Sequence, residues 1–498
     1  MGKYRRIARQ RLARLITLLL VKILPRLEAI GRLEKGLALL TSIAQYIPYE
    51  EWQREQLRQL NEAFRKNHPA IRLARRVVSE VHPKFLMSLF NALWIPWWIK
   101  GETRAEFAKR EGFEPPCLAV ISPLKECNLQ CVGCYASAVT KGENERLDFD
   151  TIDKLVTELK SFGTTFIVFT GGEPMHPAIW PTIKAICAKH KDQAFMMYTN
   201  GTLINDEKVA DFIELGNLSP AISLEGWEEE TDARRGKGVY AKVMAAMDKL
   251  REAGVLFGFS LTYTSKNFEV ATNPRFIDHL MKKGCLYGWY FMYVPVGKNP
   301  DTSLVVTPWQ RDRIRQFTWD MLREKGLFIA DFWNSGPISK GCIAGGRYLH
   351  INNRGDIEPC VFFKFTTHNI RNTSLLEALR SPLFSEIRKG LKHQRNPLTP
   401  CRFMDHPDEA ERVVKVTGAR PSEEGGDALL GPEIKPFLDR FAKEYREEYA
   451  DPVWTQTADY AWFAHVYKAP DWIPPATSRV TRLPAESKDR TEEPAIRR

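Results

Sequence analysis

Three cysteines fall within eight residues, Cys127-Asn-Leu-Gln-Cys131-Val-Gly-Cys134, directly after the apolar run Leu118–Ile121. A strand entering a loop with this spacing can fold three thiolates around one iron–sulfur cluster. Three ligands leave one iron open to bind and activate another molecule. A structural zinc ion asks for four ligands, usually with a second Cys or His pair nearby, and none follows at that spacing. A second set, Cys342 and Cys360, brackets Gly355 as Cys-x12-Gly-x4-Cys, and Cys401 lies further on. Tyr348–Cys360 reads as strand, Asn-Arg-Gly-Asp turn and strand, a hairpin that brings the first two thiols of that set together. A helix across Ser374–Arg388 then returns the chain to Cys401.

The elements that must position these groups alternate. Asp148 or Asp150 caps a helix striped by Ile152, Leu155, Val156, Leu159 and Phe162 and ended by Gly163. Further helices are expected across Pro177–His190, Asp206–Leu215, Val239–Leu250 and Phe276–Lys283. Between them run apolar strands at Phe166–Phe169, Ala194–Tyr198, Ala221–Leu224, Val255–Tyr263 and Tyr287–Val294. Six βα units imply an α/β fold, a parallel sheet curved into most of a barrel with helices outside. Sites in such folds lie at the C-terminal strand ends. There the sequence places the Cys triplet, Gly171-Gly172-Glu173-Pro174, Thr199-Asn200-Gly201 and Ser223-Leu-Glu225.

The Cys-x3-Cys-x2-Cys motif after the first strand, with Gly-Gly-Glu-Pro after the second, resembles the radical S-adenosylmethionine (SAM) superfamily over about residues 120–300. The resemblance implies a partial (β/α)6 barrel in which Cys127, Cys131 and Cys134 hold a [4Fe–4S] cluster whose open iron is chelated by SAM. One electron, from a donor such as a ferredoxin or flavodoxin, then cleaves SAM to a 5′-deoxyadenosyl radical that abstracts a substrate hydrogen. Gly171 and Gly172 let backbone approach the methionine ammonium, and Glu173, beside Pro174, offers it an acceptor. Asn200, Ser223 and Glu225 stand where the family contacts the ribose or carboxylate. Arg234 or Arg235 is expected to pair with the SAM carboxylate, and Tyr135 to lie by the cluster or adenine. The second Cys set resembles the auxiliary-cluster domains called SPASM or twitch. It implies one more [4Fe–4S] cluster on Cys342, Cys360 and Cys401, its fourth position open to Asp405, His406, solvent or substrate. Cys117, Cys187 and Cys285 have no partner spacing and read as small buried hydrophobes.

The remaining sequence bounds the setting. Nine cysteines at irregular spacing do not form a secreted disulfide framework, and metal ligation in a reducing cytoplasm fits better. The net charge of +11 belongs mostly to residues 1–35, which carry ten Lys/Arg against Glu28 and Glu34. Leu15–Val21 is too short to span a bilayer, which needs roughly 20 residues, and no recognised nucleic-acid module accompanies the basic arm. A basic amphipathic arm and the segment Leu93-Trp-Ile-Pro-Trp-Trp-Ile-Lys100 suggest contact with the inner membrane face. The expected parts are a helical region (1–114), the barrel (115–335), a cluster domain (336–430), an aromatic cap (431–473) and a disordered tail (474–498). Three readings of function follow: hydrogen abstraction from a lipid or other apolar substrate, maturation of a peptide or protein, and non-catalytic electron transfer.

Overall fold

The computed structural model describes residues 19–44, 58, 61–62, 64–65, 70–89, 101–142, 145–297, 299–339, 341–392 and 396–456. The Trp-rich segment, most of the basic arm, the aromatic run Tyr460–Tyr467 and the tail lie outside the described residues. Among the described residues no helix is long and apolar enough to cross a membrane.

Strands β1 (Leu118–Ile121), β2 (Phe166–Phe169), β3 (Ala194–Thr199), β4 (Leu218–Leu224), β5 (Gly258–Tyr263), β6 (Gly288–Met292) and β7 (Ile329–Asp331) pair in sequence order, every pair parallel. Their near-continuous apolar character is what a parallel sheet covered on both faces requires. The crossover helices include α2 (Phe149–Ser161), α3 (Trp180–Lys189), α4 (Asp206–Leu215), α5 (Glu228–Arg235) and α6 (Val239–Glu252). A further helix, α1 (Pro83–Leu89), precedes the sheet and buries Phe85 and Leu86 in the main core. Helix α2 starts where Asp148 accepts a 2.8 Å bond from the Thr151 amide and buries Ile152, Leu155, Val156 and Leu159, as the stripe predicts. Such a cap contributes about 1 kcal/mol.

The structure differs from the sequence expectation in three places. A seventh parallel strand, β7, follows the sixth unit. Strands β8 (Tyr348–Ile351) and β9 (Asp356–Glu358) form the expected hairpin, but β8 also pairs parallel with β1, Val120 opposite His350. The short strands β10 (Phe365–Thr366) and β11 (His368–Asn369) follow, and β11 pairs with β9, so the main sheet runs β11-β9-β8-β1 through β7. The helix expected over Ser374–Arg388 is two, Leu375–Arg380 and Pro382–Lys392. Pro382 lacks an amide donor and pushes Ser381 into extended backbone, ψ 159°.

Candidate functional site

The sheet wraps one inner cavity: Val120 of β1, Val168 of β2, Tyr198 of β3, Ser223 of β4, Ser260 of β5, Phe291 of β6 and Tyr348 of β8 all face it. At its C-terminal rim stand Cys127, Cys131 and Cys134 with Thr170, Gly171, Gly172, Glu173, Asn200, Arg234 and Arg235. Outside the cysteine loop an open cleft of about 550 Å³, between Gln130–Cys134 and Asn299–Leu304, shares Cys131, Gly133, Cys134 and Ala138 with the cavity.

The loop carrying the triplet is held from several strand ends. The amides of Gly172 and Glu173 donate to the Leu124 and Glu126 carbonyls at 2.9 Å each. A Cβ at Gly171 (φ +110°) would stand 2.5 Å from the Leu124 carbonyl oxygen, and one at Gly172 would run into the Glu126 carbonyl. The paired glycines are therefore required by the close approach of two loops, a reason additional to the ligand contact expected of them. Glu173 is buried. Its Oε1 accepts from Thr199 Oγ1 (2.7 Å) and the Met175 amide (3.0 Å), and Oε2 accepts from the Asn200 amide (2.9 Å). Burial raises its pKa against these bonds. Each carboxylate oxygen keeps further acceptor capacity. Asn200 donates to Asn128 Oδ1 (2.8 Å) and to Cys127 Sγ (3.7 Å), and so ties β3 to the cysteine loop.

Arg234, Arg235 and Glu225, expected to meet SAM separately, meet one another. Glu225 Oε1 accepts from Arg234 Nη1 (2.6 Å) and from Arg235 Nε (2.8 Å) and Nη2 (2.5 Å). Arg234 also donates to the Val132 carbonyl at 3.1 Å, clamping the loop between the second and third cysteines. Glu225 Oε2 is left buried with no protein partner. An orphaned carboxylate oxygen and two guanidinium groups beside three thiols suit a ligand that carries both an ammonium and a carboxylate. The backbone near the thiols fits them to iron as well: the Leu129 amide donates to Cys127 Sγ at 3.4 Å, a bond of the kind that tunes a cluster. Burial, then the Glu173 charge, pushes the Cys127 thiol up to about 12, so a bound cation must draw the proton off. The Tyr135 hydroxyl pairs with Thr170 Oγ1 at 2.7 Å, and its ring packs on Phe362 at 5.3 Å.

Phe362 lies within the second cysteine set, two residues after Cys360. Burial raises the pKa of Cys360 and of Cys401, and the charge of Cys342 adds to it at both. Amides of Ala344, Phe362 and Met404 donate to Cys342, Cys360 and Cys401, each at 3.4 Å. The fourth-ligand expectation fares differently. Asp405 is held by the fully buried Arg311 at 2.5 and 3.1 Å and accepts from the Cys401 amide at 2.9 Å. His406 Nε2 donates to the Thr399 carbonyl at 3.0 Å. Both side chains are thus committed to protein partners, and Asp405 in particular orients the cysteine rather than standing free for iron. Among the described residues no three His, Cys, Asp or Glu converge as ligands of a single metal ion. Cys187 and Cys285 are buried as expected. Cys117 is exposed, its thiol donating to the Arg347 carbonyl at 3.2 Å, because it precedes the first residue of β1.

Sequence reading missed the cavity's walls. Thr170, Ser260 and Thr262 supply its hydroxyls; Tyr198, Phe291, Phe332 and Phe362 its aromatic faces. Alternation along β5 and β6 carries that signal, since Ser260 and Thr262, and Phe291 two residues after Trp289, share a face.

Residues 121–267 match the model of the Radical SAM superfamily, and residues 342–403 match that of SPASM, an iron–sulfur cluster-binding domain. The chain is 25% identical over 348 residues to an AdoMet-dependent heme synthase of Nitratidesulfovibrio vulgaris, covering 64% of this chain and 92% of that protein. It is 25% identical over 297 residues to the mycofactocin maturase MftC of Mycobacterium ulcerans, covering 56% and 78%. Streptococcus suis SuiB bound to S-adenosylmethionine shares the fold at TM-score 0.52 and 18% identity, over 61% of this chain and 76% of that one.

Proposed function

We propose that this chain, a radical SAM enzyme with a SPASM domain whose cofactors are a SAM-binding [4Fe–4S] cluster, SAM and auxiliary iron–sulfur, matures a peptide or protein. The carrying observation is the open cleft that meets Cys131 and Cys134 on the outer side of the loop whose inner side lines the aromatic cavity. An extended chain can lie in such a cleft and insert one side chain between the rim and the wall formed by Val361 and Phe362. The likeness to a mycofactocin maturase over 78% of its length supports the reading.

When bound, the cluster and SAM supply a hydrogen-abstracting radical. In this reading Cys127, Cys131 and Cys134 hold the first cluster, with Gly171–Glu173, Glu225, Arg234 and Arg235 about the amino-acid end of SAM. Asn200 and Ser223 lie towards the nucleoside, and Tyr135 closes the side nearest the hairpin. Cys342, Cys360 and Cys401 would hold the auxiliary cluster, which would supply a one-electron acceptor on the far side of the Tyr135–Phe362 ring pair. Tyr198, Phe291 and Phe332 exclude water from the radical.

A second reading, a tetrapyrrole substrate, draws on those flat aromatic walls and on the heme synthase matched over 92% of its length. The lipid-substrate expectation gains nothing from the relatives, which are named for heme synthesis and peptide maturation. Mass spectrometry of peptide, tetrapyrrole and lipid extracts from cells with and without the gene tests the proposal. A peptide whose mass changes only when the gene is present supports it; a change confined to another fraction replaces it.

A further inference from the structure

A second cavity, of about 230 Å³, lies at the opposite end of the strands from the cysteines. Phe166, Phe195, Met196, Leu256, Trp289 and Phe328 wall it, and Phe85 and Ser88 of α1 close part of its mouth. Phe166, Ala194 and Gly288 open their strands, so the cavity sits under the N-terminal edge of the sheet. Most of its polar groups are turned to protein, while Asn217 Oδ1 is buried with no partner among the described residues. Asn217 Nδ2 donates to the carbonyls of Cys187, His190 and Gln193, and Ser219 Oγ is bonded at 2.7 Å to both the Leu256 carbonyl and the Tyr287 hydroxyl. The wall thus presents carbon. A cavity of ~150 Å³ lined by carbon already holds benzene, so this one has room for a longer hydrocarbon.

The two cavities are distinct. A layer of stacked and edge-on rings lies between them: Tyr198 meets Trp289 at 6.0 Å and Phe291 at 5.3 Å, and Phe332 meets Trp289 at 5.7 Å. Trp289 faces the lower cavity, while Tyr198, Phe291 and Phe332 face the upper. At the lower mouth the charge is positive. Lys84, exposed on α1, packs its backbone and Cβ within 3.4 Å of where a Cβ on the lining residue Gly216 would stand. Lys191 donates to the Leu215 carbonyl at 2.8 Å, and the repulsion of Lys84 adds to burial in lowering its pKa. Neither lysine forms an ion pair among the described residues. The charge of Glu214 opposes burial in setting the Lys191 pKa, and this acid also lies 3.8 Å from Lys184, while Asp192 pairs with Lys160.

We propose that this lower cavity is a second ligand site, which takes the hydrocarbon tail of an anionic amphiphile and leaves its acidic head at Lys84 and Lys191. The carbon wall selects the tail, and two cations that form no ion pair among the described residues select the head. The site is independent of the maturation proposal, because the aromatic layer keeps its ligand from the cysteine rim.

The test is calorimetric titration of the reconstituted full-length protein with dodecanoate below its micelle concentration. One equivalent should bind saturably. Ala194→Phe, which fills the cavity, should weaken binding about tenfold or more, with circular dichroism and iron content unchanged. Ser88→Trp, which blocks the mouth without entering the sheet, should do the same should Ala194→Phe fail to fold. Lys84→Glu should weaken dodecanoate but leave dodecanol unaffected. Uncoupled release of 5′-deoxyadenosine should stay as in the parent throughout. Absence of saturable binding, or equal affinity in the filled and blocked variants, overturns the site. Equal loss of dodecanoate and dodecanol with Lys84→Glu overturns the assignment of the head.

Discussion

The two cysteine sets use the same residue type in opposite surroundings. Around Cys127, Cys131 and Cys134 hydrogen-bonding capacity is left over: Glu225 Oε2 is unpaired, and Thr170, Ser223, Arg234 and Arg235 face the shared cavity. Around Cys342, Cys360 and Cys401 most of it is spent. Asp405 is locked by Arg311, His406 by Thr399, and each sulfur is met by a backbone amide. Unspent polar groups beside an open iron suit the binding and turnover of a ligand. Fully committed ones suit a group that stays in place and changes only its charge.

The largest effect should separate the two sets outright. Cys127→Ala should abolish 5′-deoxyadenosine release. Cys360→Ala should keep release without substrate, lose product formation, and lower iron from about eight per chain towards about four. Iron analysis and chromatography of the SAM products check both, and a Cys360→Ala protein that still makes product would erase the distinction.

Next in size is Gly172→Ala. Its methyl cannot enter without parting the Gly-Gly loop from the cysteine loop. Misplacement of a catalytic group by about 1 Å can cost a hundredfold, and SAM cleavage should fall on about that scale. Retention of the parent rate would show that the two loops move independently.

The hairpin beside the second set should respond to pH. His350 on β8 donates from Nδ1 to Glu358 Oε2 (2.5 Å) and accepts the Ser122 hydroxyl at Nε2 (2.6 Å). Burial, opposed by Glu358, holds its pKa below the ordinary value. A depressed histidine contributes stability that is complete above the unfolded value, about 6.5, and is lost as pH falls below it towards the folded one. Melting temperature should therefore decline over that window in the parent, and the decline should be shallower in His350→Gln.

The smallest effect is expected where the two regions touch. Tyr135→Phe removes the bond to Thr170 but keeps the ring on Phe362. The expected loss is about 0.5–1.5 kcal/mol of stability by chemical denaturation, with iron content unchanged.

Much of this arrangement was legible in the chain. The Cys127–Cys134 spacing, the Gly-Gly-Glu-Pro turn, the α2 stripe and the β8–β9 hairpin each depend on neighbours a few residues apart, and the structure forms the stripe and the hairpin where local rules put them. Contacts between distant segments were not legible. No local rule joins Arg311 to Asp405, 94 residues on, or tells that Arg234 and Arg235 will spend themselves on Glu225. The glycine pair was noticed with half its reason, because the Glu126 carbonyl beside it comes from another strand end. Pro382 was a readable signal, and the helix break it imposes follows from that residue alone.

The pairing of β8 with β1 reaches further than its four residues. The strand that launches the first cysteine loop has the second hairpin as its neighbour, so the two cysteine sets hang from one backbone ladder. A chain ending at residue 335 would leave β1 an open edge able to recruit another chain, and would be prone to aggregate. A cluster bound at either set would stabilise that shared ladder, and by thermodynamic linkage would act as a folding ligand for the other.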